Sequence, residues 1–206
     1  MDIIDELNHL EQTDFDSDFI IGNGKIPILI TAPHTMKQIK KDEIKQKEVY
    51  TKAIALYLHQ LLDTYCLIKI TDTGLDANRD NHDDFKNTLI YLIKAHNIKL
   101  VLDLHGARKE RDFDVEFGTL NNLSADYSTI KELEKAFINN GLTNIKHNDP
   151  FKGGAITQYL YNIKDVDVIQ LEINSNYRNL DKPNNIKKLC ESLVDFIKEY
   201  SNFINL

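Results

Sequence analysis

KLVLDLHGARKERDFDVEFGT, residues 99–119, is the stretch on which the reading of the whole chain turns. Its opening Leu-Val-Leu-Asp-Leu is the near-continuous apolar run of a strand covered on both faces, as strands of parallel sheets packed between helices are. Inside that run stands Asp103, and the run ends on His105-Gly106. Burying a carboxylate and an imidazole is costly unless each finds a partner. The stretch therefore asks whether these groups are quietly hydrogen-bonded or hold a metal. Asp103 and His105 are two residues apart and so project from the same side of a strand, where the carboxylate can orient the imidazole of a metal ligand.

Working outward, three further apolar runs read as central strands: 26–32 (IPILITA), 66–70 (CLIKI) and 168–173 (VIQLEI). The intervals between them leave room for helical crossovers. Residues 48–62 place Val49, Ala53, Ile54, Tyr57, Leu58, Leu61 and Leu62 at helical spacing, and residues 85–96 do the same with Phe85, Leu89, Leu92 and Ile93. Period-two alternation over 113–117 predicts another strand, open to antiparallel pairing, with Asp114 and Glu116 on its polar face. A helix over 126–140 should end at Gly141, a left-handed cap. A short helix is expected over 156–163 after Gly153-Gly154, and Pro183 opens a last one with Ile186, Leu189, Cys190, Leu193, Val194 and Ile197 on its apolar stripe.

Strands alternating with helices predict one α/β domain over 1–206, with a largely parallel sheet covered on both faces. Ligands of such sheets sit beyond the carboxyl ends of the strands. Here those ends lead to Pro33-His34, to Asp76-Ala77-Asn78-Arg79, to His105-Gly106, and to Glu172 with Asn174 just after it.

Composition narrows the classes of function. With 206 residues, 42% hydrophobic and 28% charged, the chain has the make-up of an ordinary globular protein. A net charge of −7 gives no general attraction for nucleic acid. No run approaches the roughly 18 apolar residues of a membrane span, and the acidic start lacks an apolar signal core, so a cytoplasmic location without a membrane partner is expected. The basic run 37–47 is diluted by Asp42 and Glu43 and reads as a solvated loop or helix end. Cys66 and Cys190 fall in apolar patterns, as reduced core residues do. With no Gly-x-Ser-x-Gly elbow and no histidine beside either cysteine, covalent acyl chemistry is unsupported.

His34 and His105 follow apolar strands at what should be one edge of the sheet, where they can share an ion. Hydrolytic zinc sites keep three protein ligands and an open position for water. Asp42, Glu43 and Glu48 are the candidates for the third; Glu48 is preferred because it begins the helical pattern that returns toward the strand ends, although a carboxylate there also suits a helix first turn. Glu172 interrupts an otherwise buried strand, and such a group can take a proton from a metal-activated water or pair with an arginine. Asn78-Arg79 offers an amide and a planar cation to a substrate carboxylate or carbonyl, and Arg108 and Arg111 are weaker candidates of the same kind. Lys152-Gly153-Gly154-Ala155-Ile156-Thr157 lacks the spacing of a phosphate loop, but its glycines allow backbone amides close to a ligand. His9, His59, His82, His96 and His147 read as surface residues.

In that order, Ala32-Pro33-His34, Glu48, Asp76-Ala77-Asn78-Arg79, Asp103-Leu104-His105-Gly106, Lys152 to Thr157 and Gln170-Leu171-Glu172 resemble the N-formylglutamate amidohydrolase family, and also the wider group of zinc carboxypeptidases and aspartoacylase-type deacylases. The resemblance implies a three-layer α/β/α fold of the phosphorylase/hydrolase kind with one catalytic zinc. It implies His34, Glu48 and His105 as ligands, Glu172 as general base and acid, and Asn78 and Arg79 at the substrate. The expected activity is hydrolysis of an N-acyl amino acid or short peptide-like amide, with a substrate carboxylate pairing with Arg79, Arg108 or Arg178. The competing readings are a carboxypeptidase acting on a small or cell-wall peptide and a non-catalytic metal-binding module.

Overall fold

A computed structural model describes residues 2–40, 43–72, 75–76 and 84–204. The chain order is α1 (Ile3–Gln12), β1 (Phe19–Gly22), β2 (Ile26–Ala32), β3 (Gln38–Lys40), β4 (Glu43–Lys45), α2 (Thr51–Leu62), β5 (Thr64–Lys69), α3 (Asp84–Ala95), β6 (Leu100–Ala107), β7 (Val115–Gly118), α4 (Tyr127–Asn139), β8 (Ile145–His147), α5 (Ala155–Leu160), β9 (Asp167–Asn174), a 3-10 turn at Ser175–Tyr177, and α6 (Pro183–Ile204). None of the described helices is long and apolar enough to cross a membrane.

Seven strands form one sheet in the order β1-β5-β2-β6-β9-β7-β8, and β3 and β4 form a separate hairpin. The four central strands β5, β2, β6 and β9 are parallel, while β1 and β7 join antiparallel to them. The sheet is the mixed, mostly parallel centre of a three-layer α/β/α sandwich. Gly141 takes φ +82° just past α4, with its N–H on Ile138 O, as the cap reading requires. Pro183 is the first residue of α6.

The two faces of the sheet differ, and the difference positions the site. On one face Ile28, Ile30, Leu102, Leu104, Ile169, Leu171, Val115 and Phe117 meet α1, α2, α4 and α6 in a single apolar cluster. On the other face Leu29, Val101 and Val168 pack under α3 and α5. One step further along the strands that second face turns polar: Thr31, Asp103 and Gln170, then His105, Glu172 and Glu116. Period-two alternation holds throughout; what changes is that the outer position switches from apolar to ionisable at the strands' carboxyl ends.

Several expectations are corrected. The run 37–47 is neither solvated loop nor helix end but carries the β3–β4 hairpin, in which Gln38 pairs with Lys45. Helix α2 starts at Thr51, so Glu48 precedes it rather than occupying its first turn; Tyr50, at φ 66°, makes the break in direction. Glu116 lies on the polar face of its strand as expected, but that face, shared with Glu172, is covered and the residue is fully buried. His59, His96 and His147 are partly buried, held by Thr64 O, the Tyr65 ring and Glu134.

Candidate metal centre

His34 stands two residues past β2 and His105 near the end of β6, and their buried imidazoles meet with Nδ1 atoms 3.1 Å apart. Glu48 comes in from the run that leads to α2. Its N–H donates to His34 O (2.9 Å) and its Oε2 accepts from Gly106 N (2.9 Å), so backbone from both histidine segments fixes it. Its carboxylate then lies 3.1 Å from His34 Nδ1 and 3.5 Å from His105 Nδ1. Gly106 permits this approach: a Cβ there would stand 2.9 Å from Glu48 Cβ and 2.5 Å from Arg178 Nη2.

Behind each imidazole is a second carboxylate. His105 Nε2 lies 2.9 Å from Asp103, which is fully buried and also accepts from Thr31 Oγ1 (2.6 Å); His34 Nε2 lies 2.9 Å from Asp76. With both Nε2–H groups given to aspartates, neutral imidazoles present their Nδ1 lone pairs to one point, and a Glu48 oxygen faces the same point. Three acceptors converging in a buried space repel one another unless a cation or proton lies between them. Tetrahedral zinc with bonds near 2.0–2.1 Å separates its ligand atoms by about 3.3 Å. The observed spacings match that figure, and these three residues form the cluster able to hold an ion among the described residues. Donor set and geometry both fit a divalent cation.

Electrostatics agree. Burial alone would raise the Glu48 carboxyl, but its contacts with His105 and His34 outweigh burial and hold it well below the usual carboxylate range. Burial likewise would drive His105 toward neutrality; Asp103 foremost, and Glu48 with it, raise its pKa well above the ordinary value instead. A point that attracts a proton this strongly attracts a divalent cation for the same reason.

Glu172 is the sheet neighbour of His105, on the same face. It accepts from Gln170 Nε2 at 2.7 Å, and burial, opposed by the charge of His105, raises its pKa. Gln170 Oε1 in turn receives Gly154 N, which ties the Gly153-Gly154 turn to Glu172 and occupies that amide. Thr157 is fully buried nearby, in α5. Gly153, at φ +110°, lies so close to β7 that a Cβ on Gly118 would come within 2.6 Å of its nitrogen.

A cavity of about 880 Å³ opens over the centre, with Glu48, Asp76, Gly106, Arg108 and Arg178 in its wall. Arg108 is exposed there. Arg178 is buried and commits its guanidinium to backbone carbonyls: Nε to Ile173 O (3.0 Å), Nη1 to Val49 O (2.5 Å) and Nη2 to Ala107 O (3.1 Å). Asn78 and Arg79, and with them Asp42 and His82, lie outside the described residues. Two groups beside His34 escaped the sequence reading. One is Asp76. The other is Lys45, whose Nζ donates to Asp76 Oδ2 (3.4 Å) and lies 3.0 Å from His34 Nε2, drawn to the same carboxylate. Asp76 stood in a motif already singled out, but nothing in its spacing announces which imidazole it backs.

The sequence-family model described as N-formylglutamate amidohydrolase matches residues 70–177, just over half of the chain. The structure is similar to N-formylglutamate amidohydrolase from Ralstonia eutropha, with a TM-score of 0.72 and 11% identity over 91% of this chain and 98% of that one. It is also similar to a bacteriophage poly-gamma-glutamate hydrolase (0.59, 13% identity, 93% of each chain). A metallo-carboxypeptidase from Burkholderia cenocepacia scores 0.55 at 13% identity, over 95% of this chain and 68% of that one. At such identities the structural likeness is one of fold. No curated protein sequence matches the chain.

Proposed function

This chain belongs to the N-formylglutamate amidohydrolase family, and from that premise we propose that it hydrolyses the amide of an N-acyl amino acid such as N-formylglutamate, with zinc held by His34, Glu48 and His105. The observation that carries the reading is the convergence of two aspartate-backed Nδ1 atoms and one carboxylate on a single buried point. When bound, the divalent ion supplies a Lewis acid that polarises the scissile carbonyl and lowers the pKa of water toward about 7.

Glu172 takes the proton of the attacking water and returns it to the departing amine; its place beside His105 and its burial-raised pKa support that role. Asp103 and Asp76 keep the two imidazoles in the tautomer that leaves Nδ1 free. Asn78, Arg79 and the exposed Arg108 receive the substrate carboxylate, a task for which a planar cation is suited. Arg178, with its nitrogens on three carbonyls, serves instead by holding Val49 and so its neighbour Glu48. Gly153, Gly154 and Thr157 bound the substrate on the Glu172 side, through the Gln170 tie. The chain works as one domain over 1–206.

The test is to strip the protein of metal, reload it with zinc, and assay N-formylglutamate, N-acetylglutamate and dipeptides. Hydrolysis of an N-acyl amino acid by the reloaded form alone supports the proposal. Stoichiometric zinc without turnover of any amide overturns it.

A further inference from the structure

The cavity over the metal centre is larger than a formyl amino acid requires, and part of its wall is apolar. Ile44, Val49 and Leu75 all line it, and they are 55%, 37% and 39% exposed. A single exposed apolar side chain needs no explanation. All three line the same cavity as Lys45, Glu48 and Asp76, the residues that carry the centre's contacts with His34. Apolar surface and the polar groups of the centre thus share one cavity. The loop after His105 brings exposed Arg108, Lys109 and Glu110 into the same cavity, two cations to one carboxylate in a chain of net charge −7. Apolar surface gathered in a concave site with a few charged groups is the usual form of a ligand pocket. A formyl group has no carbon chain to lay on that wall.

We propose that the wall of Ile44, Val49 and Leu75 is an acyl subsite, and that the substrate is an amino acid whose amide carries an apolar acyl chain of several carbons, its carboxylate facing Arg108 and Lys109. The inference rests on the amide-hydrolase reading above and adds the identity of the acyl group to it. In the reaction the acyl carbon–nitrogen bond breaks, the oxygen of one water joins the acyl carbon, and both of its hydrogens end on the departing nitrogen, which leaves as an ammonium. The products are a fatty-type carboxylate and a free amino acid.

The experiment compares kcat/KM of the zinc-loaded full chain for N-formyl-, N-butanoyl- and N-octanoylglutamate, with calorimetric binding of butanoate and octanoate alongside. Octanoyl should exceed formyl by tenfold or more, and Ile44→Ser and Leu75→Ser should each cut that ratio at least threefold. Tyr91→Ser, a change on an exposed face of α3 outside the cavity, should leave the ratio as it is. A flat or falling series overturns the acyl subsite and leaves the hydrolase reading standing. If no amide is cleaved, the hydrolase reading falls and binding decides the subsite. Octanoate bound at least tenfold tighter than butanoate, and weakened by Ile44→Ser or Leu75→Ser, supports it; equal binding rejects it.

Discussion

Asp103 shows how one residue can reconcile a buried polar group with a strand core. Fully enclosed, it accepts from Thr31 and faces His105 Nε2, so the cost of burying it is offset by two short contacts and by the orientation it imposes on the ring. Asn in its place can turn its amide N–H toward Nε2 and force the proton onto Nδ1, the atom meant for metal. Asp103→Asn should weaken zinc binding by about 10–100-fold, read by competition with a chromogenic chelator. Asp76→Asn should act alike through His34. Glu172→Gln tests the neighbouring role: kcat should fall by about 10²–10⁴-fold while zinc stays bound at wild-type stoichiometry. Asp103 was legible because its contact lies two residues away along a strand. Asp76 was not, because its contact with His34 crosses a loop whose path no local pattern encodes. The two cysteines were legible as core: burial pushes both thiols up to about 12, and a thiol reagent should label neither until the chain unfolds.

Among the elements, the central strands and the helices that cover them follow from hydrophobic period, because each buries a face continuous enough to leave a mark. The pieces that the sequence reading missed are short or amphipathic at the margins: α1, the edge strands β1 and β8, and the β3–β4 hairpin of two three-residue strands. Such elements gain their stability from what they pack against, which local pattern does not report. Glu48 illustrates the consequence. Its residue type was read correctly as a ligand candidate, but its setting was misplaced by three residues because Tyr50 takes a left-handed conformation before α2 begins. What secures that irregular run is Arg178, which joins the ends of β6 and β9 to Val49. Arg178→Met keeps the length and removes every donor, leaving three carbonyls to find other partners. It should destabilise the fold by about 2–4 kcal/mol in urea unfolding. It should also weaken zinc binding, although Arg178 lies outside the three-residue cluster.

At the scale of the molecule, one sheet serves two purposes by changing the character of a single face along its length. Under α3 and α5 that face is apolar; two to four residues further on it carries Asp103, His105 and Glu172, with Thr31 and Glu116 on the flanking strands. Helices can cover the first part, but only an ion, a proton or hydrogen bonds can settle the second. The folded chain therefore gathers carboxylates and imidazoles from the β2, β6 and Glu48 segments that repel in part when brought together, whereas the unfolded chain holds them apart. A cation that binds only the folded arrangement must add to stability by mass action: at a free concentration 100 times its Kd the gain is about 2.7 kcal/mol. For a chain of 206 residues each kcal/mol moves the midpoint by about 2–4 °C. Zinc should accordingly raise Tm by about 5–10 °C over chelator-treated protein, and the rise should shrink sharply in His105→Ala while the fold persists. An unchanged Tm on zinc addition would mean that the two histidines and Glu48 converge for structural reasons alone.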